Sequence, residues 1–182
     1  MNKALLFSIA FGLLAVPAWP EVVDSAAGGF TVRTTLNIKA APADVYTALV
    51  LGVGKWWDAA HTFSHDARNL SIDARPMGCF CEKLPGGGGV RHMEVVYADP
   101  GKSLVLSGGL GPLLSQAVAG SMQIHLEAAP EGTKLVVTYA VTGYLPAGMT
   151  SWAAPVDSVL NQQFVRLKNY LERGDPAPKP GN

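Results

Sequence analysis

Net charge is what this 182-residue chain most plainly lacks: 14 basic residues stand against 14 acidic ones. That balance excludes an electrostatic nucleic-acid binder and a polybasic membrane anchor. Cysteine is scarce too, and two residues, Cys79 and Cys81, are too few for a disulfide scaffold. Their spacing is not C-x-x-C, and side chains two apart on a strand stand roughly 6–7 Å from each other. A disulfide needs Cβ atoms about 3.5–4.5 Å apart, so two buried thiols acting as small hydrophobes are expected. No apolar run reaches the roughly 20 residues that span a bilayer. No G-x-S-x-G nucleophile motif occurs. The glycines 86–89 lack the following helix and the Lys-Ser/Thr ending of a phosphate loop, so they read as a hairpin tip.

What is present points to a folded, turn-rich domain. The chain is 48% hydrophobic and only 15% charged, the reverse of a disordered composition. Its 20 Gly and 13 Pro suit many turns without making it low-complexity.

The N-terminus reads as a signal peptide over residues 1–18. Lys3 gives a short positive region, and Ala4–Val16 (ALLFSIAFGLLAV) is an apolar run of 13 residues. Val16 and Ala18 supply small residues at the −3 and −1 positions of a cleavage site. Export to the periplasm or medium after cleavage near Ala18 is therefore expected, with no stable membrane anchor. Residues 19–28 read as a linker, 29–173 as one domain, and 174–182, with three prolines, as a disordered tail.

Within the domain, Gly29–Ala40 alternates and is rich in β-branched residues, as a strand does. Pro42 and Asp44 then open a short helix carrying Val45, Tyr46, Leu49 and Val50, stopped at Gly52. Lys55–Phe63 reads as a second, aromatic helical piece. Strands follow at Leu70–Arg75, Gly78–Leu84, Val90–Ala98, Lys102–Ser107, Ser121–Ala128 and Lys134–Tyr144, while Gly111–Ala119 is ambiguous. Ala153, Val156, Leu160, Phe164, Leu167 and Leu171 recur at helical spacing up to Arg173, ahead of the terminator Gly174. Grouped strands with helices at both ends make the chain α+β: a curved antiparallel sheet of about seven strands wrapped on a long C-terminal helix, with two short helices after strand 1. Such a fold tends to leave a cavity between helix and sheet.

Several segments carry a family resemblance. They are APADVY at 41–46, WWDAAHT at 56–62, GCFCE at 78–82, RHMEV at 91–95, DPGK at 99–102, SGGLGP at 107–112, GTKL at 132–135 and APVD at 154–157. On these the chain resembles the START-like, or SRPBCC, helix-grip superfamily, which includes the birch pollen allergen, and within it the branch of the heat-shock-chaperone ATPase activator. The resemblance covers about Phe30 to Glu172 and implies the helix-grip fold. A fold hosting binders, cyclases and cochaperones does not specify activity. An exported chain would not meet a cytosolic chaperone, so that partner is not carried over.

Glu82 and His92 are the candidate acid–base pair. A symmetric glycine turn makes residue numbers across the hairpin sum to about 174, which sets Glu82 opposite His92, Phe80 opposite Glu94 and Cys81 opposite Met93. A carboxylate beside an imidazole orients the ring and suits proton transfer. One register slip would turn the pair outward as a solvent-facing ion pair; the resemblance favours the cavity. Trp56, Trp57 and His61 belong to a segment that the resemblance places at a cavity mouth, with packing beneath the sheet rim as the alternative for either Trp. Phe164 joins these as a candidate ligand-binding residue on the long helix. His61 and His65 have H-x3-H spacing, and with Glu82 and His92 would make a zinc set on spacing alone; no metal and no cofactor are expected. His125 reads as a packed or surface residue, and 69–71 (NLS) as a chance glycosylation sequon.

The expected function is binding of a hydrophobic or amphipathic small molecule in that cavity. Apolar walls would supply affinity, and Glu82, His92, His61 and tyrosines would orient polar groups. Two alternatives stand beside it: a cyclase, hydratase or hydrolase using His92 and Glu82, and an envelope protein-interaction module.

Overall fold

Alternation of side chains along the strands builds the larger layer. The computed structural model describes residues 21–178. Eight strands form one antiparallel sheet: β1 (Glu21–Ala26), β2 (Gly29–Ile38), β3 (Leu70–Ile72), β4 (Cys79–Lys83), β5 (Gly89–Asp99), β6 (Ser103–Ser107), β7 (Ala117–Ala129) and β8 (Gly132–Tyr144), in the order β1-β2-β8-β7-β6-β5-β4-β3. Phe30, Val32, Thr34, Leu36 and Ile38 on β2 point to the core with Leu135, Val137, Tyr139 and Val141 on β8, every second residue in each case.

Three α-helices cover that face. α1 (Pro42–Leu51) and α2 (Val53–Trp56) follow β2, and α3 (Thr150–Arg173) closes the chain. Pro42 sits in the first turn of α1, where its missing N–H is not needed. α3 lies along β2 and β1 and touches α1 and α2. Its buried stripe is Ala153, Leu160, Phe164 and Leu167. It ends at Gly174, whose φ of 75° is left-handed and whose N–H reaches the Tyr170 carbonyl at 2.9 Å. The architecture is the expected α+β helix grip.

Several boundaries depart from the sequence reading, among them the strand expected over Leu70–Arg75, which ends at Ile72, and the one expected from Ser121, which starts at Ala117. The N-terminal linker is in part a strand: β1 pairs with β2 from Glu21↔Arg33 to Ala26↔Gly29, making eight strands rather than about seven. β1 is exposed on nearly all its length, held by backbone pairing with β2 and by contacts with α3 such as the Ser25 hydroxyl donating to the Thr150 carbonyl at 3.4 Å, so its side chains leave no alternating pattern. α3 starts at Thr150, a turn before Pro155, whose ring leaves the Ser151 carbonyl without its helical donor. The aromatic segment after α1 is broken: α2 ends at Trp56, and a separate 3-10 turn spans Ala59–His61 with Asp58 as its cap. Part of the tail folds back, since Asn169 Nδ2 reaches the Pro176 carbonyl at 3.5 Å and Arg173 donates to that of Ala177. The signal peptide and residues 179–182 lie outside the described residues.

Candidate functional site

The site begins with an irregularity in the β4–β5 hairpin. Phe80 pairs with Met93, but Cys81 pairs with Arg91 and Glu82 with Val90. The expected pairing of Glu82 with His92, Phe80 with Glu94 and Cys81 with Met93 is therefore corrected: His92 is the extra residue of a β-bulge. The bulge turns consecutive residues, His92 and Met93, to the same buried side. It also brings His92 diagonally over Glu82, so the two meet without being partners: His92 Nε2 lies 3.0 Å from Glu82 Oε2. Both face inward, 3% and 2% exposed, which rejects the solvent-facing arrangement.

The Glu82 carboxylate has two further donors. The Phe63 N–H reaches Oε2 at 3.1 Å, and the Ser64 N–H donates to Oε1. Burial pushes the Glu82 carboxyl up, but the hydrogen bonds from Ser64, Phe63 and His92 together outweigh it and hold it below the usual carboxylate range. Burial pushes the His92 imidazole down, against the pull of Glu82. The pair thus stands as carboxylate and neutral imidazole. An ionised carboxylate only accepts, so His92 donates from Nε2 and its Nδ1 carries a lone pair. That Nδ1 is buried and has no hydrogen-bond partner.

His92 lines a cavity of about 310 Å³ between the sheet and α3. Its walls include Trp57, Phe63, Phe80, Trp152, Val156 and Leu160. His92 stacks among them, its ring 5.0 Å from that of Phe80 and 5.8 Å from that of Phe63. Trp57 is placed by its Nε1–H, which donates to the His61 carbonyl at 3.1 Å. The segment holding Trp57 is tied to α3, where Gln163 accepts the Asp58 N–H at 2.8 Å and Arg166 donates to the Trp56 carbonyl at 2.9 Å. Across the cavity, the Tyr139 hydroxyl accepts from the Leu110 N–H and donates to the Gly108 carbonyl, both at 3.0 Å. Its pKa is pushed up to about 12 by burial. Both bonds hold the loop 108–112, leaving His92 Nδ1 as the unpartnered buried atom among the cavity's ring side chains.

The candidate residues divide accordingly. Trp57, His61 and His92 border the cavity, His61 from an exposed position. Glu82 sits behind His92 rather than on the wall, so it orients the ring and does not contact cavity contents. Trp56 and Phe164 are corrected to core residues. They pack against each other at 6.1 Å between rings, outside the lining, with Trp56 Nε1–H donated to the Ala48 carbonyl. His65 is exposed, and among the described residues no three His, Cys, Asp or Glu side chains are placed to hold a metal ion. Phe80 and Trp152 were missed as lining residues. Phe80 was legible, since it shares a face with Glu82 two positions on.

Cys79 and Cys81 are joined by a disulfide, overturning the expectation of two thiols. A fully extended strand sets alternate Cα atoms about 6.6–6.8 Å apart. Here the two Cα atoms lie 5.4 Å apart, beside the register shift.

No family model matches the chain, and no curated protein matches it. Solved structures do. Protein MLL2253 from Mesorhizobium loti aligns at 20% identity and a TM-score of 0.57, covering 80% of this chain and 98% of that one. The Aha1 dimer from Colwellia psychrerythraea aligns at 20% identity and 0.55, covering 79% and 97%. Ara h 8.0201 aligns at 16% identity and 0.56, covering 80% and 99%. At these identities the likeness speaks to the fold alone, and with the curved eight-stranded sheet and long C-terminal helix it shows that the chain has the helix-grip fold.

Proposed function

We propose that the chain is an exported binding protein for a hydrophobic or amphipathic small molecule, related to the branch of the chaperone ATPase activator but without a cytosolic chaperone partner. The observation that carries this reading is the cavity of about 310 Å³, walled by aromatic and aliphatic side chains and by His92, whose Nδ1 is buried and unpartnered. Its volume falls in the range of small-molecule sites, whose apolar walls supply affinity while a few polar groups fix orientation. With Glu82 holding Nε2–H, His92 Nδ1 accepts a hydrogen bond from a ligand hydroxyl or N–H. The apolar run before Ala18 supports export.

Native mass spectrometry of the protein purified from its host, alongside titration with anilinonaphthalene sulfonate, tests the binding reading. A bound small molecule, or probe binding lost in a cavity-filling Val156→Trp variant, is expected. A clean apo mass with no probe binding overturns it. N-terminal sequencing of the exported protein tests export, with a start just after Ala18 expected.

One observation favours a second reading, an enzyme of cyclase, hydratase or hydrolase type. A neutral imidazole held by a carboxylate, its other nitrogen free beside a cavity, is arranged as a general base. Turnover that survives His92→Ala removes this reading and leaves the binder.

A further inference from the structure

The Cys79–Cys81 disulfide lies apart from the cavity. Burial alternates along β4, with Phe80 and Glu82 inward and both cysteines half-buried on the opposite side. The bond links residues only two apart. Closing so short a loop restricts the unfolded chain far less than a long-range bridge does, so stabilisation is a poor account of its presence. Nor does it anchor a free segment, because backbone pairing already ties β4 to β3 on one side and β5 on the other.

Its two sulfurs have different neighbours. The cross-strand partners of Cys81 are Arg91 and Ser71, while that of Cys79 is Glu94. Arg91 and Glu94 reach solvent on this face and form an ion pair at 2.9 Å. A cationic neighbour lowers a thiol pKa and an anionic one raises it. Exchange proceeds fastest when the lower-pKa thiolate leaves. Arg91, the cross-strand partner of Cys81, is placed to stabilise a thiolate leaving there, which makes Cys79 the sulfur to be attacked.

We propose that Cys79–Cys81 is a thiol–disulfide exchange site on the outer face of the sheet, which oxidises a dithiol substrate to a disulfide. A substrate thiolate attacks Cys79 Sγ and forms a mixed disulfide. The Cys79–Cys81 bond breaks, and its electron pair leaves on Cys81 Sγ as a thiolate, which takes up a proton. The second substrate thiolate then attacks the substrate sulfur of the mixed disulfide and expels Cys79 as thiolate. The substrate loses two electrons, the cysteine pair gains them, and a disulfide such as oxidised glutathione restores the starting state. This inference does not rest on ligand binding in the cavity.

The test equilibrates the folded protein with mixtures of reduced and oxidised dithiothreitol, quenches with an alkylating reagent and weighs the product. Reversible interconversion between no alkyl groups and two, with near-ultraviolet circular dichroism retained, is expected. With oxidised glutathione, reduced Cys81→Ser is expected to form a one-to-one mixed disulfide at Cys79. A reduced, unfolded peptide carrying two cysteines is expected to emerge oxidised when mixed with the wild type. A bond that opens only after the protein is unfolded in urea overturns the proposal, whatever the variants do. So does a folded Cys81→Ser protein that stays unmodified, or a peptide dithiol that the oxidised protein leaves reduced.

Discussion

His92 Nε2 lies 3.0 Å from Glu82 Oε2, and the same carboxylate accepts the backbone N–H groups of Phe63 and Ser64. One buried anion therefore ties the β4–β5 hairpin to the loop that borders the cavity. Removing it strands three donors at once, among them two backbone N–H groups that have no other protein acceptor in the structure. Glu82→Ala is expected to lower stability by about 3–5 kcal/mol, the range for breaking a buried charged network. Glu82→Gln is expected to fall between it and the wild type, since one carbonyl oxygen still accepts while the amide nitrogen opposes a donor. Urea denaturation of the two variants checks both the order and the size.

The same pair sets a pH dependence. Burial lowers the His92 pKa below its unfolded value, so folding favours the neutral ring. Its contribution is complete above the unfolded pKa, about 6.5, and declines as pH falls from there through the lowered folded value. The Glu82 pKa is also lowered, so its contribution is complete above its unfolded value, about 4.3, and is lost at still lower pH. Both losses run toward acid. Stability is expected to be flat from neutral pH to about pH 10, above which the raised Tyr139 pKa makes it fall, and to fall in two stages below neutral. His92→Phe should remove the first stage while retaining acid denaturation. Denaturation midpoints measured from about pH 2 to 8, which reaches below the Glu82 reference value and above that of His92, check this; stability rising on acidification through the histidine range would contradict it.

Tyr139 gives a third prediction. Its hydroxyl holds both Gly108 and Leu110, and β7 must approach closely to allow it. A Cβ at Gly120 would sit 2.3 Å from the Gly108 carbonyl and 2.8 Å from the Tyr139 hydroxyl. Gly120→Ala is therefore expected to displace this loop and to cost more than Tyr139→Phe. The latter leaves a half-buried N–H and a half-buried carbonyl without their partner, at about 1 kcal/mol. Hydrogen exchange at Leu110 should speed up in both variants, and thermal unfolding should rank them.

The sequence made some of this legible and hid the rest for definite physical reasons. β2, β8 and α3 bury one face each, so their periods of two and 3.6 appear directly in residues such as Val32, Leu135 and Leu160. β1 buries almost nothing, so no period marks it. Glu82 and His92 could be brought near each other by counting across the glycine turn. Counting cannot reveal a bulge, however, and the bulge is what turns both His92 and Met93 inward. The core role of Trp56 and the wall role of Trp57 were indistinguishable as neighbours in sequence, because the break after α2 that separates them depends on Asp58 capping a new turn.

That separation of neighbouring tryptophans supplies the last prediction. Trp56 and Phe164 are almost fully buried against each other and lie outside the cavity lining, whereas Trp152 is half-buried and lines it. Phe164→Ala leaves a hole in a packed core and is expected to cost about 3–5 kcal/mol. Trp152→Ala enlarges a space that already exists, so its cost should be nearer 1 kcal/mol. Apolar-probe binding should separate the two in the opposite sense. Trp152→Ala removes a large aromatic wall and is expected to weaken binding roughly tenfold, about 1.4 kcal/mol. Phe164→Ala, assayed at a temperature where it remains folded, should change affinity far less. Paired measurements of unfolding and probe affinity decide the matter: a stability loss at Trp152 equal to that at Phe164, with binding untouched, would make the cavity wall ordinary core.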